Sequence, residues 1–325
     1  MKKSQSDIYA IMNDRLVPWG VSIEVTARCN IKCVHCYHPS AHNPQLNLDE
    51  MKGLLKDLAA LGSMDLTFTG GEVFLRPDFM EILEFAVNDC GFLVKIFSNL
   101  TLLSEAQADI LASLPINEVE TTLLGPGSGM HDAITGVSGS FKATVNAIKM
   151  LTTRGVNVSA KTVAMTVNSH RLDDMYKLAD RLRIEFRHDD AVFIESNGGR
   201  RPLSLQITDN EIKRMRRSFG SEDENEYSLC NCARSVLGIG SDGEVYPCGP
   251  FTESAGNIRD NSIADIWLNS PLMTAVRAMD DSDYFVCRDC HYRLRCNGCV
   301  AMGIGLSRGR KYPCRLAKRR LRKLS

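Results

Sequence analysis

Residues 21–39 read VSIEVTARCNIKCVHCYHP, an apolar segment running straight into Cys29, Cys33 and Cys36. VSIEVT reads as a strand, so the C-x3-C-x2-C triplet falls on the loop that follows it. A [4Fe–4S] cube normally takes four cysteines. Three thiolates hold three of its irons and leave the fourth open to a substrate or cofactor. Zinc is the alternative. Structural zinc sites usually show two separated C-x2-C or C-x2-C/H-x3-H pairs, but His35 and His38 stand near enough to complete a tetrahedral site. Disulfides are not expected: the chain opens MKKSQSD, without the apolar core of a signal peptide, and cytosolic thiols are kept reduced.

Outward from this stretch, short apolar strands alternate with amphipathic helices over residues 21–195. Leu48, Met51, Leu54, Leu55, Leu58 and Leu61 share one helical face, with Asn47 and Glu50 placed to cap its start and Gly62 its end. DLTFT (65–69), FLVKIFS (92–98), NEVETTLL (117–124), VNVSAKTVAM (156–165) and a segment near 185–195 read as further strands. Helices are expected after Pro77, at about 104–113, at 140–155 and at about 170–183. The alternation predicts an α/β fold of parallel βα units. Six units are too few for a closed eight-stranded barrel, and the pattern alone leaves an open barrel and a doubly wound sheet both possible.

The chain has 325 residues, enough for two domains, and 39 basic against 39 acidic residues. A net charge of zero gives no global field for nucleic acid, and no run approaches the roughly 18 apolar residues of a membrane span. Twelve cysteines point to metal or cluster binding. Eight of them, Cys230, Cys232, Cys248, Cys287, Cys290, Cys296, Cys299 and Cys314, follow an acidic stretch, SEDENEY (221–227). The spacing C-x2-C-x5-C-x2-C at 287–299 suits a zinc ribbon or part of an iron–sulfur pair. Cys90, on an apolar helix face, reads as a structural thiol.

The triplet, its strand and the later string FTGGEVFLRPDF (68–79) resemble the radical S-adenosylmethionine superfamily. The resemblance implies a partial (βα)6 TIM-like barrel and a [4Fe–4S] cluster on Cys29, Cys33 and Cys36. S-Adenosyl-L-methionine is then chelated by the open iron. Gly70, Gly71 and Glu72 match the family's GGE stretch, which holds the methionine amino group; glycines permit close approach and a carboxylate suits an ammonium. Ser98 and Asn99, in SNLT where TNGT is common, are implied ribose contacts. Thr122 stands where relatives have a serine contacting the cofactor carboxylate, and Thr135 where some have an arginine. Lys161 is either a cofactor contact or an inward ion pair.

Cys232 to Gly243, GEVYPC to Cys248, CRDC, RCNGC and Cys314 resemble the SPASM extension, apart from two residues rather than three between Cys296 and Cys299. The implied auxiliary [4Fe–4S] clusters are one on Cys230, Cys232, Cys248 and Cys299, and another on Cys287, Cys290, Cys296 and Cys314. That makes three clusters. The implied domains are an N-terminal extension (1–17), a barrel (18–200), a helix and linker (201–229) and a SPASM domain (230–325). The implied activity is a cytoplasmic oxidoreductase. It cleaves S-adenosylmethionine to a 5′-deoxyadenosyl radical and oxidises a peptide, leaving a crosslink or similar two-electron product. Side-chain maturation of the anaerobic sulfatase type and small-molecule dehydrogenation are the alternatives within the class. A non-catalytic iron–sulfur or zinc protein is the alternative outside it. Implied partners are the peptide, a flavodoxin or ferredoxin reductant and a separate leader-recognition protein. The basic tail from Arg308 to Lys323, Asp189, Asp190 and Glu195 carry no assigned role. GPGSG (125–129) only superficially resembles a phosphate loop, with no capped helix expected directly after it.

Overall fold

The computed structural model describes residues 11–37, 44–193, 195, 199–208, 211, 215 and 231–278. Six parallel strands form where the apolar segments predict them: β1 (Gly20–Thr26), β2 (Asp65–Gly70), β3 (Leu93–Phe97), β4 (Glu118–Thr122), β5 (Val158–Val163) and β6 (Glu185–Asp189). Between them run α1 (Leu48–Ala60), α2 (Phe79–Glu84, continued by a π turn to Asp89), α3 (Glu105–Ser113), α4 (Ser128–Thr135), α5 (Ser140–Thr153) and α6 (Leu172–Leu182). The Asn47 side chain accepts from the Glu50 amide at 2.9 Å and Glu50 returns the bond to Asn47 at 2.7 Å, the reciprocal cap that starts α1. Gly62, at φ +89°, turns the chain out of it.

The strands lie in the order β6-β5-β4-β3-β2-β1, each beside its predecessor. Successive right-handed crossovers that always step the same way put every helix on one face. A doubly wound sheet reverses its order at a switch point, and this one does not. The winding is that of a barrel left open.

Alternation within the strands divides the faces. Val21, Ile23, Val25, Leu66, Phe68, Val94, Ile96, Val119, Val158 and Ala160 are buried in one core cluster beneath the helices. The opposite positions are polar: Ser22 and Glu24, Thr67 and Thr69, Lys95, Glu118 and Glu120, Lys161 and Arg187. Parallel strands covered by apolar layers on both faces usually read as continuous apolar runs; here the second face is polar.

The sheet continues beyond the six units. β7 (Val236–Ile239) pairs in parallel with β1, and β8 (Glu244–Tyr246) and β9 (Gly256–Asn257) follow antiparallel. Helices α7 (Ile263–Asn269) and α8 (Pro271–Ala278) then add Ile263, Ile266, Trp267, Met273 and Val276 to the same core as the barrel strands. Between 231 and 278 the chain after the acidic stretch has no separate core and shares the barrel's. Arg259 fastens the join, reaching Glu50 of α1 at 2.6 and 3.1 Å and the carbonyls of Pro44 and Gln45. Trp267 donates from Nε1 to the Leu16 carbonyl at 2.6 Å.

Cys230, Cys287, Cys290, Cys296, Cys299 and Cys314, together with His38, the acidic stretch 221–227 and the basic tail, lie outside the described residues. No helix among the described residues is long and apolar enough to cross a membrane.

Candidate active site

Cys29, Cys33 and Cys36 occupy the loop that leaves the carboxyl end of β1. The amides of Lys32 and Val34 donate to the carbonyls of Thr135 and Ile134 at 2.9 and 3.0 Å, fixing the loop on the end of α4. Cys33 packs with Met130 against a small core of Leu124, Ile134, Met165 and Val192. Burial pushes the Cys33 thiol up to about 12, with Cys36 and Cys29 adding to the shift, and burial likewise raises Cys29. Three thiolates cannot share this loop without a compensating positive centre, which is the condition a metal cluster meets. Among the described residues, no three His, Cys, Asp or Glu side chains converge as a single metal ion requires. His35 stands between Cys33 and Cys36 in the sequence, with its Nδ1 buried and without a hydrogen-bond partner, and burial lowers its ring to about 4, so it is neutral at pH 7.

Gly70 and Gly71 end β2 against this loop. The expectation was that they admit a ligand; the structure gives them a nearer neighbour. A Cβ on Gly70, whose φ is +136°, would lie 2.2 Å from the Thr26 carbonyl oxygen, and one on Gly71 2.2 Å from that of Arg28. Both glycines therefore let β2 close on the backbone that carries the cysteines. The contact is sealed by hydrogen bonds from Gly71 N–H to Thr26 at 2.8 Å and from Glu72 N–H to Arg28 at 2.9 Å.

Glu72 is fully buried. Its carboxylate accepts from the Ser98 hydroxyl at 2.6 Å, the Asn99 amide at 2.7 Å and the Phe74 amide at 3.2 Å. Burial raises its carboxyl while these donors pull the other way. The side chain thus ties the end of β2 to the end of β3. Asn99 extends the network, with its amide nitrogen 3.0 Å from Asn30 Oδ1 and 3.9 Å from Cys29 Sγ. Leu100 follows in left-handed backbone, φ +63°, with its side chain buried.

Thr122 ends β4 beside Lys161 of β5. The Lys161 ammonium is 2.5 Å from the buried Glu120 carboxylate and 3.6 Å from the centre of the Phe97 ring; Arg187 pairs with the other Glu120 oxygen. The ion-pair expectation for Lys161 holds in this geometry. Glu120 and Arg187 were not singled out in the sequence, since only the strand register brings them together. Thr135 bonds Ser140 at 2.7 Å. Asp189 accepts from Ala191 at 2.8 Å and Glu195 pairs with Arg201 at 3.3 Å. A helix, α4, does begin directly after GPGSG opens, with Gly127 at its cap position. Cys248 packs over the sheet: a Cβ on Gly238 of β7 would lie 2.9 Å from its carbonyl carbon, and one on the adjoining Gly249 would lie 3.4 Å from Ser22 Oγ of β1. Cys232 is buried just before β7.

An open singly wound barrel with three cysteines after β1 and a GGE turn after β2 defines a class, and comparison with known families agrees. The radical SAM superfamily model matches residues 23–182, and the SPASM iron–sulfur cluster-binding domain model matches residues 230–291. The chain belongs to the radical SAM superfamily and carries a SPASM domain. The AdoMet-dependent heme synthase of Oleidesulfovibrio alaskensis is 26% identical, over 90% of this chain and 84% of its own. The antilisterial bacteriocin subtilosin biosynthesis protein AlbA of Bacillus subtilis is 27% identical, over 94% of this chain and 72% of its own. Streptococcus suis SuiB bound to S-adenosylmethionine superposes with a TM-score of 0.66 at 17% identity, covering 91% of this chain and 79% of that one. SuiB bound to the precursor peptide SuiA gives 0.67 at 16%, covering 90% and 75%.

Proposed function

We propose that the protein is an oxidoreductase that reductively cleaves S-adenosylmethionine and uses the resulting radical to oxidise a peptide. The observation that carries this is the joining of the cysteine loop, the GGE turn and Asn99 into one network at the carboxyl end of the sheet. Cys29, Cys33 and Cys36 would hold a [4Fe–4S] cluster, which when bound supplies the electron for cleavage of the sulfonium and hence the 5′-deoxyadenosyl radical. Gly70 and Gly71 hold the loop in place through backbone contact, and their turn would present main-chain acceptors to the methionine amine. Glu72 fixes Ser98 and Asn99, the proposed ribose contacts. Thr122 would contact the cofactor carboxylate, and Lys161 would share its ammonium between Glu120 and the ligand. The polar face of the sheet offers room and hydrogen-bonding groups for a substrate.

Cys232 and Cys248 are proposed ligands of one auxiliary cluster, with Cys230 and Cys299, and the remaining four late cysteines of another, to accept the substrate's electron. A peptide substrate is supported by the similarity to AlbA and by the resemblance in fold to SuiB. A small-molecule substrate is the second reading, favoured by heme synthases among the relatives. A flavodoxin or ferredoxin would serve as reductant, and a separate protein would recognise a peptide leader. Anaerobic reconstitution should load about twelve irons per chain, four per cube. Dithionite should then drive formation of 5′-deoxyadenosine. Replacing the three loop cysteines with alanine should remove about four irons and abolish that product. Deuterium transferred into 5′-deoxyadenosine from a labelled peptide, and not from a labelled tetrapyrrole, selects the substrate class. Near-stoichiometric zinc with little iron would refute the assignment.

A further inference from the structure

Arg277, in the last turn of α8, is half-buried and turns its guanidinium onto carbonyl oxygens. Nε donates to Ala233 at 2.6 Å, Nη2 to Trp267 and Nη1 to Leu268 at 3.4 Å, and Cζ lies 4.5 Å from the centre of the Trp267 ring. Arg234 donates to the Arg277 carbonyl at 2.6 Å. Neither guanidinium meets a carboxylate among the described residues. Burial, and then the charge of Arg234, hold the Arg277 guanidinium below its ordinary range. Buried cations are normally paired, and two of them meet here. The contacts to Trp267 and Leu268 serve carbonyls at the end of α7, which lack partners within that helix. A neutral donor would serve these equally well.

The turn that both arginines hold carries a proposed ligand. Ala233 follows Cys232 directly, is fully buried and lies in left-handed backbone at φ +56°. A residue with a Cβ seldom adopts that conformation unless its surroundings impose it. Its N–H donates to the Pro247 carbonyl at 2.9 Å, while its own carbonyl accepts from Arg277. Ala233 thus ties the turn bearing Cys232 to the residue before Cys248. Ser235, three residues on from Cys232, is fully buried, and its hydroxyl has no hydrogen-bond partner among the described residues. Such an orphaned donor fits a turn built around a further group.

We propose that Arg277, supported by Arg234, is the counter-charge of the auxiliary iron–sulfur cluster on Cys232 and Cys248 and raises its reduction potential. The inference rests on the assignment of that cluster above. Four thiolates outweigh the positive charge of the cube they bind, so the site is net negative, and its potential follows its net charge and hydrogen bonding. Reduction adds one electron and makes or breaks no bond. A fixed cation beside the turn therefore stabilises the reduced form more than the oxidised one. A raised potential suits a cluster that takes an electron from the substrate, which is oxidised by one as the cluster is reduced by one.

The test is a potentiometric titration of the reconstituted full chain, followed by electron paramagnetic resonance, on the parent and on Arg277→Gln, Arg277→Lys and Arg234→Gln. Arg277→Gln should lower the midpoint of one cluster by about tenfold in its equilibrium constant, or ~59 mV for one electron. The remaining clusters should not move. The cluster that shifts should be the one missing from a Cys248→Ala protein. Arg277→Lys keeps the charge and should retain most of the parent's midpoint. Arg234→Gln leaves the contacts of the Arg277 guanidinium in place and should move the same midpoint the same way by less. It decides the question if Arg277→Gln loses iron or melts early, and an unmoved midpoint there would overturn the proposal. Unmoved midpoints in an Arg277→Gln protein with its full iron, equal shifts in the Gln and Lys variants, or a common shift of every cluster would overturn it too. Each of these would leave the cluster assignment standing. A parent protein that holds only about four irons, or zinc at Cys232 and Cys248, would overturn both.

Discussion

Adding one carbon at Gly71 should disable the site without touching a cysteine. In Gly71→Ala the new methyl would stand 2.2 Å from the Arg28 oxygen, 2.5 Å from its carbonyl carbon and 2.9 Å from the Ala27 oxygen. These are backbone atoms, so no side-chain rotation relieves the clash. Restoring an ordinary contact requires β2 and the cysteine loop to separate by roughly 1 Å, since carbon atoms pack at about 3.5–4 Å. That movement stretches the bonds Gly71 N–H to Thr26 and Glu72 N–H to Arg28, now 2.8 and 2.9 Å. Leaving a buried donor unsatisfied costs about 1–3 kcal/mol, so the two together give about 2–6 kcal/mol. Thermal unfolding should register a fall of roughly 3–9 °C. Because Arg28 adjoins Cys29, iron bound on reconstitution should drop by about one cube's four atoms. The control is Gly53→Ala, on the exposed face of α1, where the added carbon meets nothing within 4 Å. A Gly71→Ala protein that melts within 1 °C of the parent and binds its full iron would refute this account of the turn.

Three further outcomes can be measured in the same melts. Gly53→Ala itself should stabilise by about 0.5–1 kcal/mol through loss of chain entropy in the unfolded state. Trp267→Ala should cost about 3–5 kcal/mol, because the ring is fully buried and its Nε1–H holds the Leu16 carbonyl; a smaller loss would mean that the C-terminal helices dock loosely. Arg259→Ala should cost about 1–2 kcal/mol, as the pair with Glu50 is partly exposed. Hydrogen bonding from Arg259 holds the Glu50 carboxyl below its ordinary range. A carboxyl whose folded pKa is depressed contributes stability above its unfolded value and loses it as pH falls through the folded one. The Arg259→Ala penalty should therefore be full at pH 7 and shrink below the ordinary glutamate range; a penalty independent of pH would assign the clamp to the carbonyl contacts alone.

The strands of the barrel and the cap of α1 were legible because each is a local signal: an apolar run, or Asn47 three residues before Glu50. α4 was not, since GPGSG carries turn residues and the helix that follows has no side-chain cap. β7, β8 and β9 escaped for a different reason. They are four, three and two residues long, below the length at which alternation can be read, and only pairing, β7 with β1, β8 with β7 and β9 with β8, gives them form. The cysteine triplet and GGE were visible at once, but their mutual contact was not, because backbone approach depends on the bulge where Thr26 meets Gly70. Leu100 is a case where substitution hid the geometry. It takes the left-handed turn that the glycine of TNGT would take, at a cost of roughly 1–2 kcal/mol, offset by burying its side chain.

The pairing of β7 with β1 changes what it means to cut this chain. In many two-domain proteins a break between domains exposes a polar linker. Here a cut before Cys232 would strip the flank from β1, uncovering four residues of unpaired backbone from Gly20 to Ile23 beside the loop that bears the cysteines. A bare strand edge of that kind invites another chain to pair with it. A shortened protein would then self-associate through the strand that aims its cysteines, so insolubility and loss of iron should arrive together.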